Sequence, residues 1–402
     1  MAGGGPAGMM LGLLLARAGV EVVVLEKHGD FLRDFRGDTL HPSTLEVMHE
    51  LGLLEALLRL RHEKIPRFAA RLGERDVTIA NLSRLPVHAP FIAMMPQWDF
   101  LDFLAGEAKR HAGFALRMKA EVTGLLERDG RITGLRLGTE ELAADLVIGA
   151  DGRHCTVRAA AKLPAEEFGV PMDVLWFRLS RRAGDAEQTM ALFGVGNIIV
   201  LLNRGDYWQC AYVIGKGAAD EIRARGLPWF RQSVAKRLPW AADRVVELDD
   251  WDKIKLLTVR VDRLLRWHRP GLLCIGDAAH AMSPVGGVGI NLAIQDAVAT
   301  ANILAEPLVA GKAQVEDLKR VQKRRDWPTR VTQRLQLAIQ KQLIARALTA
   351  EEDFTPPLFI RLLSAFPVLS RIPARLIGMG VRPEHVRTSA AAPGRARPGT
   401  TG

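Results

Sequence analysis

The stretch Gly3-Gly4-Gly5-Pro6-Ala7-Gly8 decides the fold, since it places three glycines in the spacing G-x-G-x-x-G at the mouth of a predicted helix. In this spacing Gly3 permits a tight turn, Gly5 lets the backbone approach a pyrophosphate, and Gly8 lets helix and strand pack closely. The N-terminus of the helix adds positive potential at the phosphates. The stretch therefore predicts an α/β fold of the Rossmann type that binds a dinucleotide.

The residues that follow the motif support this prediction. A helical pattern over residues 9–18 leads into an apolar strand over residues 20–25, which ends at Glu26. Glu26 stands 18 residues after Gly8, where an acid that binds ribose hydroxyls is expected. A strand normally precedes the motif, yet only two residues do so here. We therefore expect an N-terminally shortened chain, whose longer form supplies about eight apolar residues to the central strand.

The composition indicates a globular protein of two domains. Of the 402 residues, 48% are hydrophobic and 25% are charged, with a formal net charge of +10. No nucleic-acid motif accompanies this charge, so we expect a solvated surface, an anionic cofactor or peripheral contact with an acidic membrane, and no nucleic acid. Cys155, Cys210 and Cys274 are too scattered to predict a disulfide framework or a metal site. No apolar run is expected to span a bilayer, and a cytoplasmic setting is predicted.

Two later segments resemble motifs of one family. Residues 149–158 read GADGRHCTVR, which is similar to G-A-D-G-x-x-S-x-V-R. Residues 276–291 read GDAAHAMSPVGGVGIN, which is similar to G-D-A-A-H-x-x-x-P followed by G-x-G-x-N. With the first motif they stand in the family's order from residue 3 to residue 291. The chain is thus identified as a member of the class A FAD-dependent aromatic hydroxylases, which include para-hydroxybenzoate hydroxylase-like and ubiquinone-biosynthesis hydroxylase-like enzymes.

The resemblance implies a monooxygenase with FAD as cofactor and NAD(P)H as reductant. In this family molecular oxygen adds at the flavin C4a position, and the resulting hydroperoxide hydroxylates an aromatic or quinone-like small molecule. From the first motif and the resemblance together, the residues expected to bind the cofactor are Gly3, Gly5, Gly8, Glu26, Arg36, Gln97, Asp151, Asp277, Gly289, Ile290 and Asn291.

The segment after Ile275 has the chemistry that a flat ring needs. Pro284 stiffens a loop in which Gly286 and Gly287 carry no side chains, so the ring can lie against the backbone. The helix predicted from Gly289 directs its N–H groups at the negative charge of a reduced flavin. We expect Pro284, Gly286 and Gly287 to shape the site where oxygen reacts.

Two residues depart from the family's pattern. Cys155 replaces a usual serine, which we expect to be a mild change. Val288 replaces a usual glutamine or lysine, which removes a polar group near the flavin edge.

The fold expected from these observations is a discontinuous, glutathione-reductase-like FAD-binding domain with an inserted β-sheet substrate domain and a helical C-terminal segment. The predicted bounds are 1–64, 93–168 and 257–310 for the FAD-binding domain, 65–92 and 169–256 for the substrate domain, 311–390 for the helical segment, and 391–402 for a disordered tail. We expect a monomer or a homodimer.

The predicted strand around Tyr207 is the candidate substrate wall. Alternation places Tyr207, Gln209 and Ala211 on one face, and we assign Tyr207 a catalytic role in orienting or deprotonating a phenol. Trp176 and Arg178 share a strand face and are weaker candidates. His28, His41 and His154 are interpreted as loop or surface residues.

Two other functions remain open at this point. One is an FAD-dependent reductase or desaturase of the geranylgeranyl-reductase type, which shares the fold and motifs. The other is a flavin-binding regulator without turnover.

Overall fold

The computed structural model describes residues 1–32, 38–72, 75–185, 189–194, 196–350 and 367–391. The predicted cofactor residue Arg36 and the predicted tail after residue 391 lie outside these ranges. The helices are α1 (Pro6–Arg17), α2 (Pro42–Glu50), α3 (Leu54–Leu58), α4 (Gln97–Ala108), α5 (Thr156–Ala160), α6 (Ala219–Ala224), α7 (Leu227–Arg237), α8 (Gly289–Val309), α9 (Val315–Ile339), α10 (Ala345–Leu348) and α11 (Arg371–Gly378). A π-helical turn, Gln340–Ile344, joins α9 to α10.

The strands are β1 (Val22–Leu25), β2 (Thr39–Leu40), β3 (Glu63–Ile65), β4 (Arg67–Leu72), β5 (Arg75–Asn81), β6 (Ile92–Met94), β7 (Phe114–Arg117), β8 (Gly124–Arg128), β9 (Arg131–Leu137), β10 (Glu140–Ala143), β11 (Val147–Gly149), β12 (Ala165–Phe168), β13 (Met172–Ser180), β14 (Met190–Gly194), β15 (Asn197–Asn203), β16 (Tyr207–Gly215), β17 (Lys255–Leu257), β18 (Val261–Leu264), β19 (His268–Arg269) and β20 (Leu272–Cys274). Small sheets form from β10-β9-β8, from β2-β6-β3 and from β12-β18.

A mostly parallel sheet carries the glycine motif at its carboxyl edge. β1 pairs with β7 and β11 pairs with β20, both in parallel, while β19 adds an antiparallel edge strand. Ala2 bridges in parallel to Leu25 and to Gly149, so it lies between β1 and β11. The flanking strands are short and largely buried apolar runs, as parallel strands covered by helices are. This is the parallel arrangement that the motif predicts, with Ala2 in the central position.

A second sheet has seven strands in the order β17-β13-β16-β15-β14-β4-β5. Its outer face packs on α6 and α7, for example through Phe177 against Phe230. Its opposite face, here called the inner face, includes Ala211 and Val213 and packs against Val285 in the second glycine-rich segment. The alternation of side chains along β13 and β16 therefore separates an outer core from a wall beside the second motif.

The long apolar helix of the second motif is a core helix. The segment Val285–Val309 contains a window with a mean hydropathy of 1.3, so by length and composition alone it could cross a membrane. In the fold 72% of this segment's most apolar window is buried, because α8 packs against α1 and α9.

A buried charge network joins α8 to the C-terminal part of the described chain. Asp296 accepts hydrogen bonds from the Gly276 N–H at 3.0 Å and from Arg325 Nε at 2.9 Å, and its Oδ2 lies 2.6 Å from His280 Nε2. Arg325 also contacts Glu384 at 3.4 Å. Burial alone would raise the pKa of Asp296, but His280 and Arg325 hold it below its usual value. The network thus fixes the first glycine of the second motif to α8 and α9.

We expect Asp296→Ala to lower the free energy of unfolding by about 3–5 kcal/mol, because it leaves a buried guanidinium without its main carboxylate. Arg325 is only 1% exposed, so water cannot replace the lost partner. Urea unfolding of the purified protein measures this loss. The control is Glu316→Ala, which removes an exposed ion pair to Lys319 and should change the free energy of unfolding far less, because solvent screens such a pair. Equal losses in the two variants would contradict the role of the network.

Candidate active site

The first motif forms a turn that only glycine can build at two of its positions. Gly3 has a φ of 103°, and a Cβ there would lie 2.4 Å from the Ala150 carbonyl oxygen. A Cβ on Gly8 would lie 2.0 Å from the Gly3 carbonyl oxygen. Gly5 differs, since its φ is −73° and a Cβ would meet its nearest atom only at 4.0 Å. The protein therefore needs Gly3 and Gly8 for its own packing, whereas Gly5 borders open space.

Glu26 lies where the ribose-binding acid is expected. Its two carboxylate oxygens accept hydrogen bonds from the N–H groups of Gly4 and His28, both at 3.1 Å. These bonds hold the carboxylate beside the glycine turn at the end of β1.

Asp151 presents a buried acceptor beside the same turn. Its Oδ2 accepts from the Thr156 N–H at 2.8 Å, while its Oδ1 is buried and has no partner in the described part of the chain. The next residue, Gly152, has a φ of 88°, and a Cβ there would meet no described atom within 4 Å. A buried acceptor without a donor calls for a ligand hydroxyl or water.

Cys155 caps a helix with its side chain, a role for which serine is also suited. Its Sγ accepts a hydrogen bond from the Arg158 N–H at 3.1 Å and so caps α5. Burial raises the pKa of the thiol, which keeps it neutral and unreactive. Arg158, the last residue of this motif, forms a buried ion pair with Asp262 at 2.9 Å.

The loop formed by residues 283–288, here called the 283–288 loop, is shaped by two glycines in the left-handed region. Gly286 has a φ of 79° and Gly287 a φ of 64°. The Gly287 carbonyl accepts a hydrogen bond from Thr39 Oγ1 at 2.8 Å, and a Cβ on Gly287 would lie 2.5 Å from that hydroxyl. Pro284 turns the chain, since its carbonyl accepts from the Gly287 N–H at 3.0 Å. Gly286, by contrast, has room for a Cβ, which would meet its nearest described atom, Val288 Cγ1, at 3.7 Å.

The N-terminus of α8 follows this loop without a side-chain cap. Val288 is the N-cap residue and contributes no side-chain hydrogen bond, which leaves the first N–H groups, beginning with those of Gly289 and Ile290, open to a ligand. The Asn291 side chain accepts from the His41 N–H at 2.8 Å and from Thr44 Oγ1 at 2.7 Å. Its Nδ2 donates to the Thr39 and Gly287 carbonyls at 3.1 and 3.3 Å. The Asn291 side chain therefore ties the start of α8 to β2, α2 and the 283–288 loop.

Asp277 and Gln97 lie at the rims of this site. Asp277 is partly exposed, and its Oδ2 lies 3.7 Å from Arg153 Nη2. Gln97 is the first residue of α4, and its N–H donates to Asp38 Oδ1 at 3.2 Å. Asp38 was not predicted from the sequence.

A buried ion pair connects Asp38 to the seven-stranded sheet. Arg204, which follows β15, pairs with Asp38, and its Nε donates to Gln209 Oε1 at 3.0 Å. Burial raises the pKa of Asp38 to about 6, against the opposing charge of Arg204. Near this pair the guanidinium of Arg178 lies over the Tyr207 ring, 4.9 Å from its centre. The predicted substrate residues therefore meet at one end of the inner face, in a positively charged setting.

These features fit an anionic dinucleotide that carries a flat ring. Within the three motifs, a Cβ on Gly5, Gly152 or Gly286 would meet no described atom closer than 3.7 Å. Asp151 offers an orphaned acceptor, and α1 and α8 begin without side-chain caps. Uncapped helix N-termini favour phosphate and other negative charge.

A protein-family model described as an FAD binding domain matches residues 1–335. The chain belongs to this family. The flavoprotein is 33% identical over 353 residues to a 6-methylpretetramide 4-monooxygenase of Streptomyces rimosus, a match that covers 85% of this chain and 83% of that relative. It is 29% identical over 308 residues to a rifampicin monooxygenase of Streptomyces venezuelae, covering 73% and 61% of the two chains. Its fold is similar to that of a probable FAD-dependent monooxygenase from Pseudomonas aeruginosa, with a TM-score of 0.73, 22% identity, and coverage of 87% and 96%.

The family and these relatives make the flavoprotein an FAD-dependent monooxygenase of the aromatic-hydroxylase class, with NAD(P)H as reductant. The resemblance inferred from the three motifs is thereby confirmed. The comparisons favour neither the reductase nor the regulator without turnover.

His41 is a loop residue, as interpreted from the sequence, and it stands directly before α2. It is also fully buried, which the sequence did not predict, and its Nδ1 lies 2.6 Å from the Ile377 carbonyl oxygen. His28 and His154 are exposed, as expected. The residues near His41 in the sequence, such as Asp38 and Pro42, do not predict that the C-terminal helix α11 contacts this histidine, because the contact joins residues 336 positions apart.

We expect Gly5→Ala to weaken FAD binding at least tenfold while leaving the apoprotein as stable as the wild type. A methyl group at this position meets no atom of the described residues closer than 4.0 Å but occupies the space that a pyrophosphate needs. Gly8→Ala is the contrasting variant, because its methyl group collides with the Gly3 carbonyl and should destabilise the apoprotein itself. Fluorescence titration with FAD and urea unfolding of the apoproteins measure the two effects. Unchanged FAD affinity in Gly5→Ala would show that the first motif does not bind the cofactor.

We expect acid to destabilise the wild-type apoprotein more than the His41→Gln variant. Burial lowers the pKa of His41 to about 4, whereas histidine in the unfolded chain titrates near 6.5. The unfolded state therefore binds the proton first, and stability is lost as the pH falls from about 6.5 toward 4, by up to about 1.4 kcal/mol per pH unit. Urea unfolding between pH 7.5 and 5 measures both profiles. Parallel profiles would show that His41 is protonated equally in the two states.

Proposed function

We propose that this flavoprotein hydroxylates an aromatic or quinone-like small molecule held between the 283–288 loop and the inner face of the seven-stranded sheet. The observation that carries the proposal is the packing of Val285 against the apolar inner face. A ring lying on Gly286 would then face a wall of side chains rather than solvent. Such a closed, largely apolar site with few polar groups is typical of small-molecule binding.

The cofactor would be held by the residues predicted from the sequence. Gly5 and the N-terminus of α1 would bind the pyrophosphate, and Glu26 would bind the ribose. Asp151 and Asp277 would accept hydrogen bonds from the hydroxyl groups of the ribityl chain, which joins the phosphates to the flavin ring. The N-terminus of α8 would stabilise negative charge on the ring, with Pro284, Gly286 and Gly287 shaping the space beside it. When bound and reduced by NAD(P)H, FAD supplies the oxygen-activating chemistry.

The protein's own groups would orient and activate the substrate. The Tyr207 hydroxyl would bind a substrate oxygen, and the nearby Arg178 and Arg204 would favour the ionised form of a phenol. An ionised phenol is more electron-rich at carbon and therefore accepts oxygen more readily. The apolar wall would exclude water from the reacting atoms.

We also propose that the inserted substrate domain comprises residues 65–92 and 169–256, with the FAD-binding domain and the helical segment bounded as predicted. The seven-stranded sheet supports this division, because its strands lie in residues 67–81 and 172–257. A cytoplasmic enzyme acting as a monomer or homodimer completes the proposal.

The test is NADH and NADPH oxidation by the FAD-loaded protein across phenols, quinone precursors and polycyclic aromatics, including 6-methylpretetramide and rifampicin. We expect at least one compound to stimulate oxidation, with little peroxide and a product heavier by one oxygen atom. Stimulated oxidation that yields only peroxide, or no stimulation by any compound, would contradict the proposal.

The chain's two tyrosines provide a matched pair of variants for this assay. Tyr207→Phe should lower kcat/KM for the active compound by about 10–100-fold, since it removes the group that orients the phenol. Tyr212→Phe is the control, because Tyr212 lies on the outer face against Phe230, with ring centres 5.4 Å apart. Equal losses of kcat/KM in the two variants would show that Tyr207 has no specific role in binding the substrate.

A further inference from the structure

Three glutamines, Gln333 and Gln336 on α9 and Gln340 in the π-helical turn, form hydrogen bonds to the 283–288 loop and to the residues just before it. Gln336 Nε2 donates to the Ser283 carbonyl at 3.0 Å and to the Val285 carbonyl at 2.7 Å. Its Oε1 accepts from the Ser283 N–H at 3.2 Å. One buried amide therefore satisfies three backbone groups where the chain enters the loop, two on Ser283, which lies outside any helix or strand, and one on Val285, which begins a 3-10 turn.

The neighbouring glutamines extend this contact in both directions. Gln333 Nε2 donates to the Ala281 and Asp262 carbonyls at 3.2 and 2.8 Å. Gln340 Nε2 donates to Ser283 Oγ. All three glutamines are at most 4% exposed, and their spacing of three and four residues places them on one helix face.

The same helical segment also contacts the proposed substrate wall. Directly after Gln340, the π-helical turn presents Leu343 and Ile344 to the inner face, where they pack in one cluster with Val285. A π-helical turn inserts one extra residue into a helix and is frequent at functional sites. Within this turn Gln340 contacts Ser283 of the loop, whereas Leu343 and Ile344 pack against the inner face of the sheet.

We propose that Gln336 and Gln340, with Gln333 beside them, are positioning residues that hold the 283–288 loop at a fixed distance from the inner face. The loop needs such a support because Gly286 and Gly287 leave its backbone unusually free. The Ser283 and Val285 carbonyls are paired by the Gln336 side chain rather than by a strand, so this amide helps to decide which loop conformation is populated. This role goes beyond the proposed function, because it concerns the fraction of NAD(P)H oxidation that is coupled to hydroxylation of the substrate and is not lost as peroxide.

The test compares Gln336→Met with Gln322→Met. Gln322 lies on the same helix and makes the same kind of contact elsewhere, accepting from the Trp267 N–H and donating to the Leu265 carbonyl, both at 3.0 Å. Amide hydrogen exchange of the apoproteins reports on the loop without any cofactor. We expect at least about tenfold faster exchange at residues 285–289 in Gln336→Met, because the variant loses three hydrogen bonds and the loss of a single one of usual strength already has an effect of this size. Gln322→Met should leave the loop's exchange unchanged.

The FAD-loaded enzymes supply the second readout. We expect Gln336→Met to raise the fraction of oxidised NAD(P)H that appears as peroxide, with the KM for NAD(P)H unchanged, whereas Gln322→Met behaves as wild type. Should Gln336→Met fail to fold, Ser283→Ala replaces it, because it removes the Gln340 contact from the loop side. Loop exchange and peroxide fraction equal to those of Gln322→Met would overturn the proposal. Failure of the wild type to hydroxylate any compound would instead count against the proposed function, while the exchange experiment would still decide the role of the glutamines.

Discussion

The close approach of α1 to the Gly3 carbonyl is the contact on which the rest of the site depends. A Cβ at Gly8 would lie 2.0 Å from that oxygen, so only glycine lets the helix reach the end of the sheet. Because the helix starts there, its N-terminus, Glu26 and Asp151 meet at one carboxyl edge. This edge is where an open α/β sheet binds its ligand.

The second half of the site is built differently, from a loop that the protein holds by its backbone. Thr39 and Asn291 contact Gly287 from one side, and Gln336 contacts Ser283 and Val285 from the other. The space beside Gly286 is thus bordered by a backbone with defined anchors. A flat ring can approach such a surface closely, which a row of bulky side chains would prevent.

The sequence was most informative where function depends on local backbone geometry. The glycines, Glu26, Asp151 and the start of α8 could all be predicted, because turn geometry and helix N-termini leave a local pattern. No local sequence pattern predicts the ion pair of Asp38 with Arg204 or the network around Asp296. The partners lie far apart in the chain, and in the sequence such charged residues cannot be told from those of an exposed surface. The burial of His41 under α11 was missed for the same reason.

The family, the relatives and the site together make this chain an enzyme that transfers one oxygen atom from molecular oxygen to an aromatic substrate. The most direct measurement is mass spectrometry of the product formed by the FAD-loaded protein under ¹⁸O₂, using the compound that most stimulates NAD(P)H oxidation. One ¹⁸O atom in the product, with none acquired from ¹⁸O-labelled water, is the predicted result. A product without the label, or with oxygen drawn from water, would contradict the claim.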